Sequence, residues 1–292
     1  RASGNIYDYR MDARLLTRLT QQTVPGIQES SWTRDGERAF MRYLQRSGGT
    51  ERIETYVLPS DGGAGYFLEA DLGNVVVSGT STVLSVLPSS NGSIGTLSTV
   101  LGTNPRTLFS SPLSSLRVLP SGGSFLAFTK PSLELPGYGF VIDSTGKFIR
   151  TLGPLYGLSV AASPSGTQFL YSFVGAEGLQ TRLLNTQKAE AVTLPVATLA
   201  EKCVLANDGY TAYCAVPKTV SGTLPDDWYQ GTTSFSDRIW KIDLEYRVAS
   251  LVFDPSLIAS IDMDAVGLAV DHNQRALVFT NKKDGSLWLY KL

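Results

Sequence analysis

The chain has 292 residues, which is long enough for two average domains or for one large all-β domain such as a barrel, sandwich or propeller. Its 25 basic and 26 acidic residues leave a formal net charge of −1 without any charged run, so the basic stripe that nucleic-acid binding requires is absent and we expect no nucleic-acid partner. No stretch approaches the roughly 18 apolar residues that cross a bilayer, so no membrane span is expected within this chain.

Two apolar strands joined by a polar turn recur along the chain. In copies such as "ASPSGTQFLYSF" and "LANDGYTAYCAV" the turn carries Pro, Ser, Asn or Asp and then Gly, which is the chemistry of a tight hairpin. Successive turns lie 41 to 45 residues apart, except that the final step is 65 residues. The copies occupy residues 30–43, 75–87, 116–128, 159–173, 202–216 and 267–280.

A third strand with alternating apolar residues follows each hairpin, and a short fourth strand usually comes next. Four short strands in each period of about 40 to 45 residues are typical of a β-propeller blade. We therefore predict an all-β chain, a β-propeller of six blades with four antiparallel strands each, forming a single domain over residues 1–292. No segment shows sustained helical periodicity, so we expect no helix longer than about two turns.

The two ends of the chain complement each other. "NIYDYR" is similar to a third strand and "RLLTRLT" to a fourth, whereas the C-terminus supplies only first, second and third strands. We expect the N-terminal strand to complete the C-terminal blade and close the ring, which removes an open sheet edge. "NIYDYR" is then a surplus third strand, so a seven-bladed ring with a hairpin upstream of Arg1 is the alternative.

The repeat resembles a known family of propellers. "WTRDGERAFMRY", "ASPSGTQFLYSF" and "LANDGYTAYCAV" look like TolB-like and WD-like propeller repeats, and the chain is similar to bacterial envelope propellers. The resemblance implies the propeller architecture and binding of a protein or ligand, without naming the partner.

Residues for catalysis are sparse. His272 is the only histidine and lies in the turn "DHNQ", where an exposed structural role is expected. No catalytic or phosphate-binding motif occurs, and we expect no cofactor and no metal site. Paired carboxylates are the other feature that could indicate an enzyme, because such pairs catalyse glycoside hydrolysis. For the carboxylate pairs of this chain we expect solvated or turn-capping roles instead. The pairs are Asp226 with Asp227, Asp237 with Asp243, and Asp262 with Asp264.

The two cysteines, Cys203 and Cys214, lie on the two arms of one predicted hairpin. A turn centred on Asp208 and Gly209 places them directly opposite each other, where a disulfide can form. A turn over residues 206–209 instead offsets them by two residues and leaves two buried thiols. We predict the disulfide, and with it an extracellular or cell-envelope location, with a membrane anchor upstream of Arg1 as an open possibility.

Two connections between second and third strands are long, and both are expected on one face. They cover residues 130–139 and 217–237. The longer connection carries the aromatic pair Trp228 and Tyr229 beside two aspartates, which is typical of an interface anchor. The alternative is a lid that folds over the blade with Trp228 buried. The predicted function is non-enzymatic binding, or a scaffold role, toward a protein or glycan, and the alternative is a glycan or ester hydrolase. The predicted partner-binding residues are Pro136, Tyr138, Asp226, Asp227, Trp228 and Tyr229.

Overall fold

The computed structural model describes residues 5–21, 23–24 and 26–292, with the backbone alone for Ser47. The chain divides into two compact units, residues 1–117 and 118–292. That the whole chain forms one domain stays a prediction.

The first unit contains a two-stranded hairpin and two four-stranded antiparallel sheets, blade 1 and blade 2. The hairpin consists of β1 (Tyr7–Arg10) and β2 (Leu15–Arg18). Blade 1 consists of β3 (Ile27–Trp32), β4 (Arg38–Ser47), β5 (Thr50–Pro59) and β6 (Tyr66–Phe67). Blade 2 consists of β7 (Asn74–Ser78), β8 (Thr82–Ser89), β9 (Gly92–Thr99) and β10 (Arg106–Ser111).

The second unit contains blades 3 to 5, with four strands each, and blade 6, with three. Blade 3 consists of β11 (Leu116–Ser121), β12 (Ser124–Thr129), β13 (Pro136–Ile142) and β14 (Phe148–Tyr156). Blade 4 consists of β15 (Ser159–Ala162), β16 (Gln168–Gly175), β17 (Gly178–Asn185) and β18 (Glu190–Thr193). Blade 5 consists of β19 (Cys203–Leu205), β20 (Thr211–Pro217), β21 (Asp237–Asp243) and β22 (Val248–Phe253), and blade 6 of β23 (Ala265–Val270), β24 (Ala276–Asn281) and β25 (Leu287–Lys291).

These sheets confirm the predicted all-β propeller fold with six blades, because every predicted hairpin forms the first two strands of a sheet. The helices of the described residues are short: α1 (Asp226–Gln230), α2 (Pro255–Ile258) and a 3₁₀ turn at Ala200–Lys202. The prediction that no helix exceeds about two turns is therefore confirmed within these residues. Among them, no helix has the length and apolar character needed to cross a membrane.

The N-terminal strands differ from the prediction in one respect. The strand expected to complete the C-terminal blade, β2, pairs with β1 in register Tyr7 with Arg18, and blade 6 has three strands in the described part of the chain. The short turn between Arg10 and Leu15 closes this hairpin at little cost in loop-closure entropy.

The predicted disulfide between Cys203 and Cys214 is present, and its Cα atoms are 4.1 Å apart. The two residues face each other directly in the register of β19 and β20, as the turn centred on Asp208 and Gly209 requires. Gly209 has a φ of +76°, which glycine adopts without strain. The bridge lies in the apolar layer between blades 4 and 5, which includes Leu170 and Ile242.

Replacing both cysteines with alanine should lower the free energy of unfolding by about 2–3 kcal/mol, since the bridge closes a short loop in the unfolded chain. Urea denaturation of the double variant and the wild-type chain measures the difference. Mass spectrometry of the native protein before and after reduction should show a gain of about two hydrogen masses. No mass change on reduction would contradict the bridge.

The blades of the second unit have two distinct ends. At the end that we call the insertion end, strand two leads to strand three and strand four leads to the next blade. Both long connections lie there, over residues 130–135 and 218–236, and each is shorter than predicted because the flanking strands extend into it. At the other end, which we call the turn end, short turns join strands one to two and strands three to four. The predicted common location of the long connections therefore follows from the strand order of the blades.

Candidate functional site

The two long connections of the insertion end contact each other. The Asp226 carboxylate, in α1, accepts a hydrogen bond of 2.8 Å from the backbone N–H of Leu133. Gly157, with a φ of +66°, donates its N–H to the carbonyl of Ser132 at 2.7 Å, and a Cβ there would lie 3.0 Å from Cδ of Pro225. A side chain at position 157 would crowd this contact, so glycine allows the two connections to meet.

A buried ion cluster lies beneath the longer connection. The side chains of Lys202, Asp237 and Asp264 are all fully buried, and Nζ of Lys202 lies 2.8 Å from Oδ2 of Asp237 and 2.5 Å from Oδ1 of Asp264. Oδ2 of Asp237 also accepts from the N–H of Ala265 at 2.7 Å. Charges removed from water are tolerated only when they are paired and hydrogen-bonded. This cluster therefore joins the start of β19, the start of β21 and the connection that precedes β23.

The long connection is attached to this cluster through Trp228. Its indole Nε1 donates to Oδ2 of Asp264 at 2.9 Å, and the N–H of Phe235 donates to the same oxygen at 3.1 Å. Trp228 is only 4% exposed and packs with Leu199, Leu224 and Phe235. The sequence allowed Trp228 to be either an exposed interface anchor or part of a buried lid. Its burial is what a lid requires.

Asp237 has an altered titration because of its surroundings. Burial is the main cause that raises the pKa of Asp237 to about 6; the Asp264 carboxylate acts in the same direction, and Lys202 acts in the opposite one. Oδ1 of Asp237 has no hydrogen-bond partner among the described residues. A carboxyl oxygen without a donor favours the protonated form, in which it can carry the proton.

The stability of the protein should therefore fall as the pH rises from about 4 to 6. The folded chain holds a proton on Asp237 in this range that the unfolded chain, with an ordinary pKa of 3.8, has released, so the stabilising contribution of about 2–3 kcal/mol is lost as the pH passes the folded pKa. Denaturation curves between pH 4.5 and 7.5 should show this decrease, and Asp237→Asn should remove it. An identical pH dependence in both proteins would contradict the assignment.

Other charged groups do not obscure this measurement. The pKa of Asp254 is lowered through its hydrogen bonds to Ser256, Lys218 and Arg238, which outweigh the effect of its burial. Such a carboxylate loses its stabilising contribution only as the pH falls below about 4, in the opposite sense. The range from pH 4.5 to 7.5 thus separates Asp237 from it.

A second set of polar groups surrounds the partly buried Tyr229. Its hydroxyl donates to the Glu201 carboxylate, and the Ser159 hydroxyl lies 3.3 Å from the same oxygen. Nζ of Lys282 donates to the carbonyl of Trp228 and lies 3.9 Å from the centre of its indole ring. Partial burial lowers the pKa of Lys282, although Asp264 and Glu201 act to raise it. A carboxylate, a phenol and a hydroxyl thus contact one another beside the lid, and the amine of Lys282 contacts the adjacent Trp228.

The other predicted partner-binding residues lie on blade 3 and in α1. Pro136 and Tyr138 lie half-buried in β13, directly after the shorter connection, and the N–H of Tyr138 donates to Oγ1 of Thr129. Asp227 accepts from the N–H of Thr223 at 2.7 Å, which closes the turn before α1. The structure thus brings Asp226, Asp227, Trp228 and Tyr229 together on α1 of blade 5, whereas Pro136 and Tyr138 lie on blade 3.

The candidate catalytic residues mostly have the expected structural roles. His272 is exposed, and its ring lies 3.3 Å from the Asn207 side chain. Asp243 accepts from the N–H groups of Glu245 and Tyr246, which caps a turn. For Asp237 and Asp264 the expected solvated or turn-capping role was wrong, because both carboxylates are fully buried and pair with Lys202.

Sequence reasoning missed Lys202, Glu201 and Lys282. For Lys202 a signal exists, since it lies in the mainly apolar stretch "VATLAEKCVLA" and directly precedes a strand of the blade core, where a lysine needs a buried partner. Its partners, Asp237 and Asp264, each stand immediately before or at the start of a strand. Among the described residues, no group of three or more histidine, cysteine or acidic side chains is placed to hold a metal ion.

Comparisons with known proteins identify the architecture. The sequence matches no protein-family model and no curated protein. Among solved structures, an oligogalacturonate lyase in complex with manganese matches over 99% of this chain and 82% of its own, with a TM-score of 0.65 and 11% identity. Acylaminoacyl peptidase from Pyrococcus horikoshii matches over 91% of this chain and 44% of its own, with a TM-score of 0.65 and 12% identity.

A third comparison concerns the family that the repeats resemble. TolB from Acinetobacter baumannii matches over 88% of this chain and 70% of its own, with 10% identity and a TM-score of 0.48, which is too low to carry an argument. At identities of 10 to 12%, the likeness to the lyase and the peptidase extends to the fold and not to the activity. The chain is therefore similar to solved propeller proteins in its architecture.

Proposed function

We propose that this chain is a binding or scaffold propeller of the TolB-like kind, which recognises a protein or glycan through the insertion end of its second unit. The observation that carries the proposal is the hydrogen bond between Leu133 and Asp226, because it joins the two long connections into one continuous surface. The disulfide between Cys203 and Cys214 supports an oxidising location, extracellular or in the cell envelope.

The recognition surface is presented on a rigid support. Trp228 and Phe235 anchor the longer connection to the buried cluster, so residues 219–223 remain exposed on a fixed base. Leu135, in the shorter connection, is 71% exposed. A rigid surface loses little conformational entropy when a partner binds.

The six predicted partner-binding residues divide into two roles in this proposal. Tyr229, Pro136 and Tyr138 are partly exposed and provide contact surface. Asp226, Asp227 and Trp228 hold the connection in place beneath it.

Photo-crosslinking and a glycan microarray test the proposal together. A photoreactive residue at Leu135 should capture a protein partner in the cells that make the chain, whereas the same residue at Thr145, an exposed position at the turn end of blade 3, should not. If the ligand is a glycan, the wild-type chain should bind the array and Tyr229→Ala should bind at least about tenfold more weakly. Equal crosslinking at both positions, together with no Tyr229-dependent glycan binding, would overturn the proposal.

A hydrolase acting on a glycan or ester is the second candidate, and the group around Glu201 favours it. A carboxylate beside a phenol and an amine has the components of general acid–base catalysis. The carboxylates considered from the sequence are less suitable, because Asp237 and Asp264 are buried in the ion cluster.

Chromogenic glycosides and esters test this candidate directly. Turnover by the wild-type chain should be lost in Glu201→Gln and retained in Asp262→Asn, which alters an exposed carboxylate at the same end. No turnover of any substrate, or equal turnover by both variants, would argue against a hydrolase that uses Glu201.

A further inference from the structure

A groove of about 270 Å³ opens at the turn end between blades 4 and 5, away from the insertion end. Its floor is apolar and includes Leu183 and Leu244, which are each only 5% exposed, together with the partly buried Val192. Its rim comes from the turn that joins β17 to β18 and from the two turns of blade 5. An apolar floor with polar groups converging above it is the usual form of a small-molecule site.

Four charged side chains form the rim, and none of them is committed to a partner. Lys188 and Arg247 are cationic, Glu190 and Glu245 are anionic, and all four are exposed. Within the part of the chain that the structure describes, their side chains form no salt bridge or hydrogen bond. Both donors and acceptors are therefore available to a ligand.

The balance of these charges restricts the ligand. The two glutamates disfavour a simple anion, and the lysine and arginine disfavour a simple cation. A neutral molecule with many hydroxyl groups can accept from Lys188 and Arg247 while it donates to Glu190 and Glu245.

Tyr210 points to the same kind of ligand. It lines the groove and is 61% exposed, so its aromatic ring is available for stacking against an apolar ring face.

We propose that this groove binds a neutral saccharide, with one pyranose ring stacked on Tyr210 and its hydroxyls held by the charged rim. The size of the groove fits a single sugar ring, since its volume of about 270 Å³ lies just below the roughly 300–1,000 Å³ of pockets for drug-sized ligands. The inference does not rest on the proposed function, because the groove shares no residue with the insertion end.

Saturation-transfer NMR with methyl glycosides of glucose, galactose, mannose and N-acetylglucosamine tests the proposal. At least one glycoside should receive magnetisation from the protein, and titration should give an affinity that changes little between 0.05 and 0.5 M salt, since the ligand is uncharged. Tyr210→Ala should weaken binding by about tenfold or more, and Glu245→Gln and Arg247→Met by several-fold each.

Tyr246→Ala is the matched control for Tyr210→Ala. Tyr246 is 73% exposed, lies in the adjacent turn of blade 5 and does not line the groove, so its loss should leave the affinity unchanged. Both tyrosines are mainly exposed, so both variants should fold, which circular dichroism checks. Absence of binding by all four glycosides, or equal affinities of the two tyrosine variants, would overturn the proposal.

Discussion

Replacing Lys202 with methionine should lower the free energy of unfolding by about 3–5 kcal/mol. Methionine has a similar length but no charge, so the carboxylates of Asp237 and Asp264 would remain buried without their cation. A buried charge that loses its partner keeps its desolvation cost and loses the attraction that offset it. Urea denaturation at pH 7 measures the effect.

Lys218→Met is the matched control for this variant. Lys218 also pairs with a buried carboxylate, Asp254, at 3.0 Å, but its side chain is 25% exposed and Arg238 shares the same partner. Its replacement should cost only about 1 kcal/mol. Lowering the pH to 5 should recover part of the stability of Lys202→Met, because its unpaired carboxylates can take up protons. Equal stabilities of the two variants at pH 7 would show that the buried cluster is not organised as described.

Replacing Trp228 with alanine should lower the free energy of unfolding by about 3–5 kcal/mol, the range for loss of a large buried aromatic side chain. The indole is 4% exposed, stacks on Phe235 and donates to Asp264, so its removal leaves a cavity and takes a donor from a buried carboxylate. Trp32→Ala is the control, because Trp32 is 44% exposed and its replacement should change the stability by less than about 1 kcal/mol.

Trp228→Phe separates the two contributions of this side chain. Phenylalanine keeps most of the apolar contact but lacks the N–H, so its cost should be about 1–3 kcal/mol and should arise mainly from the lost hydrogen bond to Asp264. A melting temperature of Trp228→Ala equal to that of the wild-type chain would contradict a buried lid and would favour direct contact with a partner.

The repeat architecture could be predicted from the sequence because it depends on local patterns. A hairpin such as residues 202–216 is specified by alternation along two short strands and by a turn with Asp and Gly, all within 15 residues. The register of Cys203 with Cys214 follows from the same turn, so the disulfide could be predicted without knowledge of the rest of the fold.

The candidate site could be predicted only in part. That the connections at 130–139 and 217–237 share one end follows from strand order alone, since both join a second strand to a third. That Tyr229 meets Glu201 does not follow, because the two residues are 28 positions apart and belong to different connections. The path of a long connection depends on the residues it packs against. The connection itself has no periodic pattern from which those contacts could be predicted.

The sequence specified the strands within each repeat and favoured six blades and the disulfide, since each depends on interactions between residues close together in the chain. The tertiary structure alone decided that Trp228 is buried and that Lys202 meets Asp264, 62 residues away. A buried charge is stable only beside an opposite charge. The sequence does not show which of several aspartates pairs with Lys202, because that depends on how the blades pack together.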